Sequence, residues 1–392
     1  MKLVVVVPSF FPAVVYGGPI FSVLNLLKPI CLLGATVLVS TTNANGDKRL
    51  KIDINEPVEM EKDLNVKYYN DTFLNVLSIP MIKSMFKDFK FADIVNVQSI
   101  FSMSTLLALL IVKLMGKKCI LTPRGSLGKE CLQLGRSSFK YVWVHILMKP
   151  LISNVFWHAT CEQEKGEILD LFKLDESKIF ILPNGINVSE YENDVTLTRD
   201  KFLQKYTKNV ESCDHIIVSM GRLHEKKGLD ILVKSFAKFK EEKIDAVLVI
   251  AGPDGGILEE LKKISNDLGV SSSVFFPGSI SGQDKVDFLA CADLFVLSSH
   301  NENFGIVYAE ALAAGTPIVA SKKTPWKIAE DYNCGKWVEN SVEETSKAML
   351  TIFDNDLVEM GNNGKALVLE KFDWDSIAKD YYKKLKTIKG ES

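Results

Sequence analysis

Twice along its 392 residues this chain alternates short β-branched runs with amphipathic stretches, and few folds accept that pattern. A run such as Leu3–Val7 is apolar on both faces, so both faces need cover, and parallel strands reach one another only through crossovers, usually helical. In the first half the strands read Leu3–Val7, Thr36–Ser40, Val66–Tyr69, Ile94–Val97, Cys119–Thr122 and Val155–Ala159. Helical spacing falls between them over Pro19–Leu32, Met103–Met115, Ser138–Ile152 and Glu162–Phe172. In the second half the strands read Ile216–Ser219, Ala246–Ala251, Val274–Phe276, Leu294–Leu297 and Ile318–Ala320. Lys227–Phe239, Leu258–Leu268, Gln283–Ala290 and Ile306–Ala314 are the helices expected there.

A chain of this length exceeds the size at which one core keeps growing, so each alternation predicts its own doubly wound parallel sheet. The polar stretch Asn187 to Ser212, after Pro183-Asn184-Gly185, marks the linker. The expected division is 1–190, 191–373 and a final helix over 374–392. That helix carries an apolar stripe at Trp374, Ile377, Ala378, Tyr381, Tyr382 and Leu385, fit to cross back onto the first domain. Two α/β domains of this kind, facing a central cleft, would take ligands at the carboxyl ends of their strands.

The apolar fraction of 47%, the charged fraction of 24% and the net charge of −2 are those of an ordinary soluble protein and argue against a nucleic-acid partner. Residues 1–190 hold 21 Lys and Arg against 17 Asp and Glu, a slight basic bias compatible with an anionic acceptor. Seven scattered cysteines without a C-x-x-C pair exclude a zinc or disulfide framework and point to a reducing cytoplasm. The apolar start is broken by Pro8, too early for a signal peptide, and Leu106–Val112 stops at Lys113, too short to span a bilayer. Phe139–Lys149, with its aromatics and lysines, is compatible with peripheral contact at the inner membrane face. Its apolar residues run round most of the helix, however, which makes burial the expected reading.

Chemistry concentrates in His300-Asn301-Glu302-Asn303-Phe304-Gly305-Ile306-Val307-Tyr308-Ala309-Glu310. A glycine turn after a strand opens an apolar helix, and such a helix start aims N–H groups and a positive dipole end at a phosphate. Glu302 would lie in the loop beside that anion. Glu310, nearer the mouth the later the helix begins, could accept two hydroxyl protons. One carboxylate for a sugar and one for a ribose suit a sugar nucleotide. After Ile216–Ser219 come Arg222 and Lys227, cations able to neutralise a diphosphate and the charge that grows as it leaves. After the first strand, Gly17 and Gly18 permit close backbone approach to a phosphate or sugar. Asp354-Asn355-Asp356 and Asp373-Trp374-Asp375 imitate a metal-binding D-x-D but sit at helix starts, where aspartates cap. No metal or cofactor is implied. His158, at a strand end, reads as a satisfied core histidine.

In this order the segments resemble the retaining glycosyltransferases of the GT-B architecture, specifically glycosyltransferase family 4. The resemblance runs through Gly17-Gly18, Pro123-Arg124-Gly125-Ser126-Leu127, Leu182-Pro183-Asn184-Gly185-Ile186, Gly221-Arg222-Leu223 with Lys227-Gly228, Ala251-Gly252-Pro253, Glu302 to Glu310, and Phe372-Asp373-Trp374. It implies that Arg222 and Lys227 grip the diphosphate and that Glu302 holds donor-sugar hydroxyls. The amides of Phe304, Gly305 and Ile306 would touch donor sugar or phosphate, and Glu310 the ribose. It implies a donor site in the second domain, an acceptor site in the first, and a nucleotide-diphosphate sugar as co-substrate. The acceptor would be a hydroxyl of a glycan or lipid-linked carrier in cell-surface polysaccharide synthesis. One departure is Val95-Asn96-Val97-Gln98-Ser99, where many members carry histidines. Amides cannot act as a base but can orient a hydroxyl, so Asn96, Gln98, Arg124 and Ser126 are the acceptor-side candidates. A sugar-nucleotide epimerase or glycan phosphorylase, and a non-catalytic sugar-nucleotide-binding subunit, are the competing readings.

Overall fold

Leu3, Val4, Val5 and Val6 are all buried, because the strand they form has a parallel neighbour on each side and cover on both faces. The computed structural model describes residues 1–70, 78–128, 131–132, 137–192 and 195–391; positions 193 and 194 of the expected linker lie outside them. The chain divides into two units, Met1–Gly185 with Trp374–Ser392, and Ile186–Asp373.

The first unit holds β1 (Lys2–Val6), β2 (Thr36–Thr42), β3 (Ala44–Asn45), β4 (Lys48–Arg49), β5 (Pro57–Glu61), β6 (Leu64–Tyr69), β7 (Ile94–Gln98), β8 (Lys118–Thr122), β9 (Val155–Ala159) and β10 (Ile179–Ile181). Its main sheet runs β10-β9-β8-β7-β1-β2-β6-β5, parallel except for the edge strand β5. The small β3–β4 ladder, β5 and β10 escape a hydropathy reading because they are short or exposed. The helix Trp374–Lys389 buries Trp374, Ile377, Ala378, Tyr381, Leu385 and Ile388 in the same cluster as Leu3, Val5 and Ile30. Lys118 Nζ ties down its end, donating to the carbonyls of Ile388 and Lys389 at 2.8 Å each.

In the second unit, β11 (His215–Met220), β12 (Ala246–Ala251), β13 (Val274–Gly278), β14 (Leu294–Leu297), β15 (Ile318–Ser321) and β16 (Gly335–Val338) form an all-parallel sheet ordered β13-β12-β11-β14-β15-β16. The order reverses between β11 and β14, and ligands of doubly wound sheets bind at that point, outside the carboxyl ends of the strands. Val342–Phe353 and Leu357–Lys371 are additional helices, started by Ser341 and Asp356. Asp356 accepts from the amides of Val358 and Glu359 at 2.9 and 3.0 Å, so this aspartate of the D-x-D look-alike is a cap.

Two expected elements differ. The helix expected at Lys227 starts at Leu229, since Gly228 at φ +57° ends a short 3₁₀ turn, Glu225–Lys227, and a left-handed residue cannot continue a helix. The stretch from Ser138 is an α-helix to Val142, a π-helical turn to Met148 and a 3₁₀ turn to Leu151. Its Trp143, Val144 and Met148 are buried in the core, and Leu151 packs against it. Phe139, Tyr141, Val142, Ile146 and Leu147 are exposed, so the expectation of burial holds on one side of the stretch and is corrected on the other.

Candidate functional site

Around the sheet reversal of the second unit, the loops after β11, β12 and β14 are laced together by backbone. The loop after β11 donates Gly221 N to Ala251 O and Leu223 N to Pro253 O, each at 2.9 Å. Its far end meets the loop after β14, where His300 N donates to Lys226 O at 2.9 Å. A Cβ at Gly228 would lie 1.9 Å from the Ser298 carbonyl oxygen, and one at Gly252 would lie 1.8 Å from that of Gly221. Only glycine allows the chains to approach so closely.

This lacing brings Lys227 and Glu302 into an ion pair, with the two side chains 23% and 14% exposed. Ser299 Oγ lies 2.9 Å from the same carboxylate oxygen and 3.0 Å from Lys226 O, so it links carboxylate to cation loop. Arg222 is exposed on the same loop and forms no ion pair among the described residues. Phe304 points inward, packed on Trp326 and Phe372 with centroids 5.4 Å away, and its carbonyl accepts from Trp326 Nε1 at 2.5 Å. Gly305 (φ +72°) precedes the helix Ile306–Ala313, and a Cβ there would meet the Tyr308 ring at 2.8 Å. Tyr308 is buried and donates to Leu297 O at 2.7 Å, pinning the helix start to the end of β14.

Because the helix begins at Ile306, Glu310 stands about one turn inside it. Its carboxylate pairs with Lys285 Nζ at 2.7 Å, both side chains being largely buried. Lys285 comes from Gln283–Ala290, and nothing in residue spacing links it to Glu310, so sequence reasoning missed it. Trp326 was missed for the same reason, whereas Ser299 is only three residues from its partner Glu302. The Lys285 ammonium lies 5.8 Å from the Tyr191 ring centroid. Burial, with the charge of Glu310 behind it, pushes the Tyr191 hydroxyl far up. His224 Nδ1 accepts from Lys226 N at 3.3 Å, a cap on the 3₁₀ turn.

The first unit gathers the remaining candidates at its own strand ends. Gly17 (φ +72°) precedes the helix Gly18–Leu32, and a Cβ on either glycine would meet nothing within 4 Å, so the loop face is open. Asn96 and Gln98 are buried on β7 and serve other side chains. Asn96 Nδ2 donates to the Tyr381 hydroxyl at 2.6 Å, Gln98 Nε2 donates to Asn96 Oδ1, and Gln98 Oε1 accepts from Arg124 Nε at 3.0 Å. Arg124, at φ +57°, also donates to Asn184 Oδ1 at 2.6 Å, while its Nη2 is buried without a partner among the described residues. Desolvation holds its guanidinium below the usual arginine range. Ser126 Oγ donates to Pro123 O at 2.6 Å, a turn-stabilising bond. His158 is buried, 2.9 Å from Leu182 O and stacked on Phe180; desolvation, then the Arg124 charge, pushes its pKa down to about 3. That makes it a neutral core histidine.

Residues 200–367, which contain Arg222, Lys227, Glu302 and Glu310, match the family described as glycosyl transferases group 1. An uncharacterized glycosyltransferase of Methanocaldococcus jannaschii is 33% identical over 224 residues, 55% of this chain and 56% of that protein, so the match spans little more than half of the relative's length. Among solved structures, sucrose-phosphate synthase from Thermosynechococcus elongatus superposes with a TM-score of 0.73 at 17% identity, covering 100% of both chains. The Anabaena protein HepE in complex with UDP-glucose gives 0.72 at 19%, covering 99% of this chain and 100% of that one. With its two parallel-sheet α/β units, the chain has the GT-B fold of glycosyltransferases, and its second unit carries the group 1 sequence pattern.

Proposed function

We propose that the protein is a retaining glycosyltransferase of family 4, moving a sugar from a nucleotide-diphosphate donor to a hydroxyl of a glycan or lipid-linked acceptor in cell-surface polysaccharide synthesis. The observation that carries this reading is the Lys227–Glu302 pair, fixed by Ser299 at the sheet reversal beside the exposed Arg222. A diphosphate placed there meets two cations carried on a loop whose backbone is fixed, and their charge stabilises the negative charge that grows as it leaves. Glu302 contributes acceptor oxygens to the sugar hydroxyls, and Glu310 does so for the ribose. The UDP-glucose held by HepE supports a nucleotide sugar as donor. No added cofactor enters this scheme.

In the first unit, Asn96 and Gln98 act through Arg124 by holding its guanidinium, and Arg124 is the acceptor-side group best suited to an anionic acceptor. The exposed Phe139, Tyr141, Val142, Ile146 and Leu147 support a peripheral membrane contact, in keeping with a lipid-linked acceptor. Among the described residues no helix is long and apolar enough to cross a membrane.

Donor consumption with a panel of acceptors tests the reading, and the configuration of the product tests retention. Arg222→Ala, Lys227→Ala and Glu302→Ala should each lower turnover about 100-fold or more while the protein remains folded. Near-normal turnover in all three would reject the site, and an inverted product would reject the retaining assignment.

A further inference from the structure

The Lys285–Glu310 pair has no part in phosphate capture or sugar transfer as derived above. It joins two helices, Gln283–Ala290 and Ile306–Ala313, and its charges are mostly shielded, with side chains 21% and 13% exposed. A glutamate side chain free in solution samples many rotamers, and ordering it when a ligand arrives opposes binding. Here the ammonium orders it beforehand. Lys285 Nζ donates to Oε1 at 2.7 Å. The Tyr191 ring faces the Lys285 ammonium at 5.8 Å, within cation–π range.

We propose that Lys285 is a positioning residue for nucleotide recognition: it locks Glu310 in the orientation that reads the ribose hydroxyls, and so sets how strongly the site prefers ribonucleotides to deoxyribonucleotides. The inference rests on the donor-site reading, in which Glu310 meets the ribose. A purely structural helix–helix link would contribute to stability yet leave ribose discrimination untouched, because the two roles act on different equilibria. Charge supplies a second distinction. A lysine acting directly on the diphosphate would strengthen ribo- and deoxyribonucleotides alike, whereas one acting through Glu310 affects only ligands that offer the hydroxyls.

Calorimetric titration of the full-length protein with UDP and GDP, each beside its 2′-deoxy and 3′-deoxy counterparts, separates these roles. The wild type should prefer the ribonucleotide about tenfold or more, the worth of a charge-assisted hydrogen bond. Lys285→Met should bind the ribonucleotide about tenfold more weakly and the deoxy forms unchanged, and Lys285→Arg should restore much of the preference. Combined with Glu310→Gln, Lys285→Met should add nothing further. If Lys285→Met keeps the wild-type preference while Glu310→Gln loses it, the pair is only a helix link and the inference falls with the donor site intact. If Glu310→Gln itself binds as the wild type does, or none of the nucleotides bind, the donor-site reading fails and takes this inference with it. Should Lys285→Met not fold, as a thermal unfolding scan would reveal, Lys285→Gln is read against the same outcomes.

Discussion

At the scale of single residues, the same side-chain chemistry is assigned opposite tasks by its surroundings. Glu164 and Glu302 are both shielded carboxylates. Glu164 is saturated by Gly125 N, Thr160 N and Thr160 Oγ1 at 2.5 to 2.8 Å, whereas Glu302 faces a lysine on a loop with an exposed arginine. The first reads as structure, the second as a ligand site. His158 makes the point for a base. Its folded pKa of about 3 lies below the unfolded 6.5, so between those values the unfolded chain binds the extra proton and acid favours unfolding. Stability from this residue is complete above pH 6.5 and is lost as pH falls toward 3, by about 1.4 kcal/mol per pH unit. Denaturant unfolding of wild type and His158→Asn at pH 7 and pH 5 should show a shallower acid loss in the variant, by about 2 kcal/mol over that interval. Equal slopes would mean that His158 is protonated in the fold.

At the scale of elements, loop geometry explains which sequence signals could be read. Glycines recur beside the proposed anion site because backbones touch there. Gly228→Ala would need both a left-handed alanine and room for a methyl 1.9 Å from a carbonyl oxygen. It should cost about 3 kcal/mol or more, visible as a lowered denaturation midpoint. A variant as stable as the wild type would show that the two loops part easily. The Phe304-Gly305 turn and the Arg222/Lys227 loop could be found from sequence because each lies within a dozen residues of a strand end. Lys285 and Trp326 could not, since their partners come from helices and loops whose placement depends on the sheet order. Phe139–Lys149 is buried on one side only, and a related reason hides this from sequence: an apolar circumference says that some side is buried but not how much of it.

At the scale of the whole molecule, the last helix belongs to the unit in which the chain begins. Its six buried side chains complete the core around β1 and β2, and Tyr381 accepts the Asn96 amide proton inside that core. The large ones among them are each worth about 1.5–3 kcal/mol when buried, so together they rival the net stability of a domain. A chain ending at Asp373 should therefore lose hydrogen-exchange protection in β1, β2 and β7 while β11 to β15 keep theirs. Uniform protection in both units would show that the first unit folds without its final helix.

The amino-acid sequence by itself determined the paired parallel sheets, because β-branched runs buried on both faces have few other homes, and it located the glycine turns and charged residues at their strand ends. Tertiary structure alone decided which charges meet. Lys227 with Glu302, Lys285 with Glu310, Gln98 with Arg124 and Asn96 with Tyr381 join positions 25 to 285 residues apart. Hydropathy period is a local property of the chain, whereas a salt bridge depends on distances that exist only after strand order and helix packing have been chosen.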